Sequence, residues 1–241
     1  EHARSVREAL KLRRHIHLEP RVQGLQPAAA SRRFPSYLAP AMTQLPELPL
    51  TLSRQEIRKM IRQRRRALTP EQQQEMGQQA ATRMMTYPPV VMAHTVAVFL
   101  SFDGELDTQP LIEQLWRAGK RVYLPVLHPF SAGNLLFLNY HPQSELVMNK
   151  LKIHEPKLDV RDVLPLSRLD VLITPLVAFD EYGQRLGMGG GFYDRTLQNW
   201  QHYKMQPVGY AHDCQLVEKL PVEEWDIPLP AVVTPSKVWE W

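Results

Sequence analysis

The sequence has a single cysteine, Cys214, in 241 residues, which excludes an internal disulfide and a thiolate zinc site and suits a reducing compartment. It has no uninterrupted apolar run of about 20 residues, the length a bilayer-spanning helix needs, so no membrane span is expected. Net charge is also scarce where it counts. The total is +4, but residues 1–46 hold eight Lys/Arg against three Glu, leaving residues 47–241 with twenty-one Lys/Arg against twenty-two Asp/Glu. A body this neutral argues against a nucleic-acid binder that works through bulk charge. Glycine is sparse too: there are eleven, and five of them fall between 183 and 191. What is plentiful is apolar surface. A hydrophobic fraction of 44% with five Trp is too high for a disordered chain, and the length is enough to bury a core.

The first fifty residues read differently from the rest. They carry six prolines (Pro20, Pro27, Pro35, Pro40, Pro46, Pro49) and no apolar period beyond Leu18, and the first methionine is Met42. Residues 1–50 are therefore expected to be an N-terminal extension, disordered or non-native, preceding a domain at 51–241. An Arg-rich transit peptide fits less well, because Glu1, Glu8 and Glu19 interrupt it. From Ser53 the signals sharpen. Ser53 with Glu56 is a capping box ahead of Ile57, Met60 and Ile61, and Thr69-Pro70 with Gln72 starts a second helix that carries Met76, Ala80 and Met84 on one face.

Short apolar runs then alternate with helical stretches: Thr95–Leu100, Arg121–Leu127, Leu135–Tyr140, Val171–Phe179, Val208–Ala211 and Ala231–Thr234. One helix is expected between Asp107-Thr108 and Gly119, and another from Phe192-Tyr193 that carries Leu197 and Trp200 inward. Val171–Phe179 is apolar on both faces and reads as a central strand. The pattern predicts an α/β class, a three-layer α/β/α single domain with a mostly parallel central sheet.

Chemistry concentrates in Gly183-Gln184-Arg185-Leu186-Gly187-Met188-Gly189-Gly190-Gly191-Phe192-Tyr193-Asp194, after the central strand and at the start of a helix. Glycines there let backbone N–H groups crowd toward an anion, and Arg185 would add a guanidinium. The Walker loop is absent, and Phe192 stands where the last glycine of the dinucleotide pattern belongs. By spacing alone, phosphate binding and a plain strand-to-helix turn remain equal readings.

The run Gly183-x-Arg185-Leu186-Gly187-x-Gly189-x-Gly191-Phe192-Tyr193-Asp194 resembles the signature of the 5-formyltetrahydrofolate cyclo-ligase family, also called methenyltetrahydrofolate synthetases. Arg54 and Arg58 on the first helix, the segment Phe99–Thr108, Glu155-Pro156, and Leu220-Pro221 leading to Asp226 agree with it in order. The resemblance runs from about Ser53 to the C-terminus. It implies ATP- and Mg²⁺-dependent conversion of 5-formyltetrahydrofolate to 5,10-methenyltetrahydrofolate. A formamide oxygen leaves poorly, so phosphoryl transfer to it precedes ring closure by N10 and release of ADP and phosphate. Such a transfer needs positioning and charge neutralisation more than a protein nucleophile.

On this resemblance Arg54, Arg58 and the loop Arg185, Leu186, Gly187, Met188, Gly189, Gly190, Gly191, Phe192 and Tyr193 hold ATP. Asp194 and Asp226 hold Mg²⁺ with water, Leu100, Glu105 and Tyr193 bind the folate, and Tyr193 and Arg185 act on the reacting groups. Many relatives carry basic residues where this chain has Met188 and Gly190, a tyrosine at Phe192, and an acid at Pro230. The expected partner is the folate alone, without nucleic acid or membrane, in a cytoplasmic monomer or weak homo-oligomer.

Two rivals stand beside it. A nucleic-acid binder would use the basic helix 54–66, but no aromatics interleave with its arginines. A sugar-phosphate isomerase or acyl-transfer enzyme on a similar sheet would need a poised carboxylate or lysine, and none is distinctive. Cys214 beside His212 and Asp213 reads as a small buried residue, and the scattered histidines predict no zinc site.

Overall fold

The computed structural model describes residues 52–241, so the expected extension at 1–50 lies outside the described residues. Helix α1 (Arg54–Arg66) opens on the anticipated capping box: Ser53 Oγ accepts from the Glu56 amide, and Glu56 Oε2 accepts from the Ser53 amide at 2.8 Å. Helix α2 (Pro70–Thr86) opens the same way on Thr69 and Gln72, with Pro70 in the first turn. A short α3 (Pro88–Met92), strand β1 (Thr95–Ala97) and α4 (Gln109–Arg117) follow, the last ending at Gly119 with φ 73°. Then come β2 (Arg121–Leu127), β3 (Leu135–Tyr140) and the hairpin β4 (Leu146–Met148)–β5 (His154–Pro156). Strands β6 (Val171–Thr174), β7 (Ala178–Asp180) and β8 (Arg185–Leu186) lead to α5 (Phe192–Leu197). The chain closes with β9 (Gln206–Tyr210), β10 (Leu216–Val217), β11 (Ala231–Val233) and β12 (Val238–Glu240).

Seven strands form the main sheet in the order β12-β11-β9-β6-β1-β2-β3, parallel throughout except for the two edge strands, β3 and β12. This is the mostly parallel α/β sheet that the alternating pattern implies. Strand β6 lies at its centre, as its two apolar faces require: Val171 and Ile173 pack under α2 and α4, while Leu172 faces the α5 side. Each such fully buried aliphatic side chain contributes about 1.5–3 kcal/mol. The layer on the α5 side is thin, one short helix and 3₁₀ turns.

Three expectations change. Val171–Phe179 is not one strand, because Pro175 has no N–H to donate and the chain leaves the sheet there. Residues 178–180 instead join a separate sheet, β10-β7-β8, on which α1 seats Ile57 and Ile61. Cys214 is half-buried rather than buried, in the 3₁₀ turn Asp213–Gln215 that precedes β10. The antiparallel edge strand β12 was unanticipated; its Trp239 packs edge-on to Phe179. Among the described residues no helix is long and apolar enough to cross a membrane.

Candidate active site

The sheet changes winding direction between β1 and β6: from β1 it runs through β2 to β3, and from β6 through β9 to β11. Ligand crevices open beyond the strands' carboxyl ends at such a switch point. A cavity of about 640 Å³ opens there. Its walls are Leu100 beyond β1, Glu105, Leu124, Pro125 and Leu127 of β2, Pro175 and Leu176 beyond β6, Arg54 and Arg58 of α1, Arg185, and Gly187 through Asp194. Most of the residues expected from sequence therefore meet in one place. Leu186 does not reach it, being buried in β8, and Asp226 stands behind the lining, gripped by Arg54.

The glycine loop is held open by its neighbours. Gly189 (φ 106°) and Gly191 (φ 66°) adopt left-handed backbone, strained for any other residue. A Cβ at Gly191 would lie 2.9 Å from Arg195 Nη1, whereas one at Gly189 would meet only the Arg58 guanidinium at 3.7 Å. Arg58 Nε donates to Gly187 O at 2.8 Å, tying α1 to the loop. Burial, and then the charge of Arg54, lower the basicity of Arg58, and Asp226 works against both. Arg195 packs on Phe192, 5.6 Å from the ring centroid, and donates to Gly133 O and Gly190 O. The phenylalanine in the tyrosine position thus serves as a platform for that arginine.

Arg185 points inward. It is 5% exposed; Nη2 donates to Asp194 Oδ1 at 2.8 Å and Nη1 to Pro175 O at 3.4 Å, while Nε is buried without a partner. Asp194 Oδ1 also accepts from the Ile227 amide at 3.3 Å. On the other side of the loop, Arg54 holds both oxygens of Asp226, at 2.5 and 3.1 Å. Burial pushes the Asp226 carboxyl up, but Arg54 and the Glu223 amide more than reverse this and leave it below the ordinary range.

Glu105 is 8% exposed and accepts from the Phe102 amide at 3.1 Å. Burial lifts its carboxyl to about 7, against the pull of that amide and of the wholly buried Arg65. Burial also raises the Tyr193 phenol; the charge of Glu105 adds to this and Arg185 opposes it.

One wall was not legible in the sequence. The β4–β5 hairpin contributes Asn149, Leu151, Ile153 and His154, and it is pinned by Glu155, whose Oε2 accepts from the Leu127 amide at 3.1 Å and from Asn149 Nδ2 at 3.0 Å. The Glu155-Pro156 pair was the signal. A second cavity of about 460 Å³ adjoins this wall, shares Leu100, Phe102, Ile153 and His154, and adds Lys152.

The donor set suits a hard cation that brings its own water and phosphate oxygens, because Mg²⁺ takes one or two carboxylates rather than a full cage. Asp194 Oδ2 has no hydrogen-bond partner among the described residues, and Asp226 is the neighbour in sequence of Ile227, whose amide meets Asp194 Oδ1. Among the described residues no group of three or more His, Cys, Asp or Glu is placed to hold a metal.

The 5-formyltetrahydrofolate cyclo-ligase family model matches residues 51–235, which take in Arg54 and Arg58 of α1, the glycine loop and Asp226. The chain belongs to this family. It is 99% identical over 182 residues to the 5-formyltetrahydrofolate cyclo-ligase of Escherichia coli K12, covering 76% of this chain and 100% of that protein. It is 53% identical to the cyclo-ligase of Haemophilus influenzae over 74% of this chain and 96% of that one. In structure it is similar to the NMR structure of 5,10-methenyltetrahydrofolate synthetase from Aquifex aeolicus: TM-score 0.68 and 28% identity, covering 78% of this chain and 93% of that one. Like those cyclo-ligases, this chain is an enzyme, and its cavity at the sheet's switch point is its candidate active site.

Proposed function

We propose that the chain converts 5-formyltetrahydrofolate to 5,10-methenyltetrahydrofolate in a Mg²⁺-dependent reaction that turns ATP into ADP and phosphate. The observation that carries this reading is one cavity with two unlike ends. At one end Arg58, bonded to Gly187 O, stands with Arg54 beside an open loop of left-handed glycines; at the other a buried carboxylate, Glu105, faces apolar walls. The first end suits a polyphosphate and the second a flat heterocycle rich in N–H donors. Bound ATP with Mg²⁺ supplies a phosphoryl group that makes the formyl oxygen able to leave, so that N10 closes the ring.

The protein's part is positioning and charge. Glu105, as carboxylate, accepts from the pterin's N–H groups, and Leu100 with the β2 wall packs its face. The glutamate end of the folate then runs along the hairpin toward Lys152 in the adjoining cavity. Arg54, Arg58 and the amides of Gly187–Gly191 hold the phosphates where negative charge develops. Asp194, fixed by Arg185, presents its free oxygen to the cation, and Asp226, kept in place by Arg54, reaches it through water. Tyr193 directs its phenol between the two ends, where the formyl group lies. The domain at 51–241 is on this reading the whole catalytic unit.

The test is the methenyl chromophore: its absorbance should rise when the enzyme is mixed with 5-formyltetrahydrofolate, Mg²⁺ and ATP. No ATP-dependent rise at high enzyme concentration refutes the reading.

A further inference from the structure

We infer that Trp225 is the platform on which the purine base of the nucleotide stacks. The inference rests on the ATP reading above and extends it to the base, which neither the glycine loop nor the arginines recognise.

Trp225 is 64% exposed, yet it lines the cavity. It sits on a turn tied down on either side of it. Asp226 accepts from the Glu223 amide at 2.9 Å, and the same carboxylate is clamped by Arg54, which also donates to Pro221 O at 3.3 Å. Residues 221–226 are thus anchored to the start of α1, the element that brings Arg58 to the glycine loop. The aromatic pairs of the described residues are Trp116 with Tyr140 and Phe179 with Trp239, so Trp225 has no aromatic neighbour. A large ring left in solvent at the edge of a cavity is poorly accounted for by folding alone, since burial would be favourable.

The position selects the ligand. The anchor for a donor-rich heterocycle, Glu105, belongs to the loop after β1, whereas Trp225 adjoins the Arg54 end, where the phosphates would sit. A group stacked on Trp225 is therefore joined to the phosphates and not to the folate. Met188, nearly half exposed and lining the same cavity, adds a soft apolar side chain of the kind that packs on aromatic rings. Stacking on a ring face grows with the area of the base and is tolerant of its edge groups, so the platform favours a purine and discriminates weakly between purines.

The test is steady-state kinetics on Trp225→Ala and Trp225→Phe. Trp225→Ala should raise the KM for ATP about tenfold, a typical worth for one base stacked on an aromatic ring. The KM for 5-formyltetrahydrofolate, the kcat at saturating ATP and the thermal midpoint should stay near wild type, and Trp225→Phe should recover most of the ATP affinity. Inorganic triphosphate, which has no base, should compete equally well against wild type and Trp225→Ala. ADP should quench tryptophan emission in wild type and much less in Trp225→Phe. An unchanged KM for ATP, a rise confined to the folate, or equally weakened triphosphate competition overturns the inference. Failure of the ATP reading is read separately, as absence of any ATP-dependent turnover in the wild-type enzyme.

Discussion

Arg54 grips both carboxylate oxygens of Asp226 across 172 residues of sequence, so the first helix and the last loop before β11 close on one another beside the glycine loop. The Asp226 side chain is 4% exposed and that of Arg54 21%, so the pair is more sheltered than a surface ion pair. Arg54→Ala leaves the sheltered carboxylate with only the Glu223 amide, and Asp226→Ala leaves the guanidinium with only Pro221 O. Each should cost about 1–3 kcal/mol of stability, the range for an abandoned polar partner. Denaturant titration of both singles and the double should show strong coupling; additive losses would mean that the contact contributes nothing net.

Asp194→Asn keeps the acceptor for Arg185 and Ile227 but removes the charge. The loss in kcat/KM for Mg²⁺·ATP is expected to reach about 100-fold, near 2.7 kcal/mol, with the apparent Mg²⁺ requirement shifted upward. Stability should fall far less. If melting shows a loss as large as the kinetic one, Asp194 serves only as the counter-ion of Arg185.

Glu105 carries a pH signature. Its carboxyl lies at about 7 in the fold against 4.5 in the open chain, so between those values the folded state binds the extra proton. Stability contributed by the protonated form is present below 4.5 and is lost as pH rises through 7, a total of about 3 kcal/mol from this group. Glu105→Gln should flatten that slope in urea titrations from pH 4.5 to 7.5. Folate affinity should move the opposite way, since the ionised carboxylate is the better acceptor: KM for 5-formyltetrahydrofolate falls as pH rises through 7 in wild type and becomes flat in Glu105→Gln. A slope that survives the substitution assigns it to another group.

The start of the chain offers a further check. A protein beginning at Met42 retains Ser53, Arg54, Ile57 and Arg58, whereas one beginning at Met60 loses the capping box, the Asp226 clamp, the Arg58 contact with Gly187 O and the buried Ile57. The first is expected to match the full chain in activity and melting temperature. The second is expected to melt lower and to show a raised KM for ATP. Equal activity from Met60 would show that the phosphates are held by the glycine loop without α1.

Much of this molecule was legible in one dimension because the signals act over a few residues. Ser53 with Glu56, Thr69 with Gln72, and Gly119 closing α4 are contacts within a single turn, and β2 and β3 run over the residues that their apolar patterns mark. The clustering of glycines at 183–191 marked the loop, and their order with Arg185, Tyr193 and Asp194 marked the family. Pro175 showed the limit of pattern reading: it sits in an apolar run that looks continuous, and the missing N–H divides that run between two sheets.

What sequence by itself determined was therefore the local geometry and the inventory of charged groups. Only the tertiary structure decided which of them meet. That Arg54 closes on Asp226, that Arg185 turns to Asp194, that Arg65 and Glu105 share a buried corner, and that Trp225 is left standing at the cavity mouth all depend on strand order. The β6 switch point brings loops together that are scores of residues apart, and side-chain partners at that range are chosen by packing and burial rather than by any period in the chain.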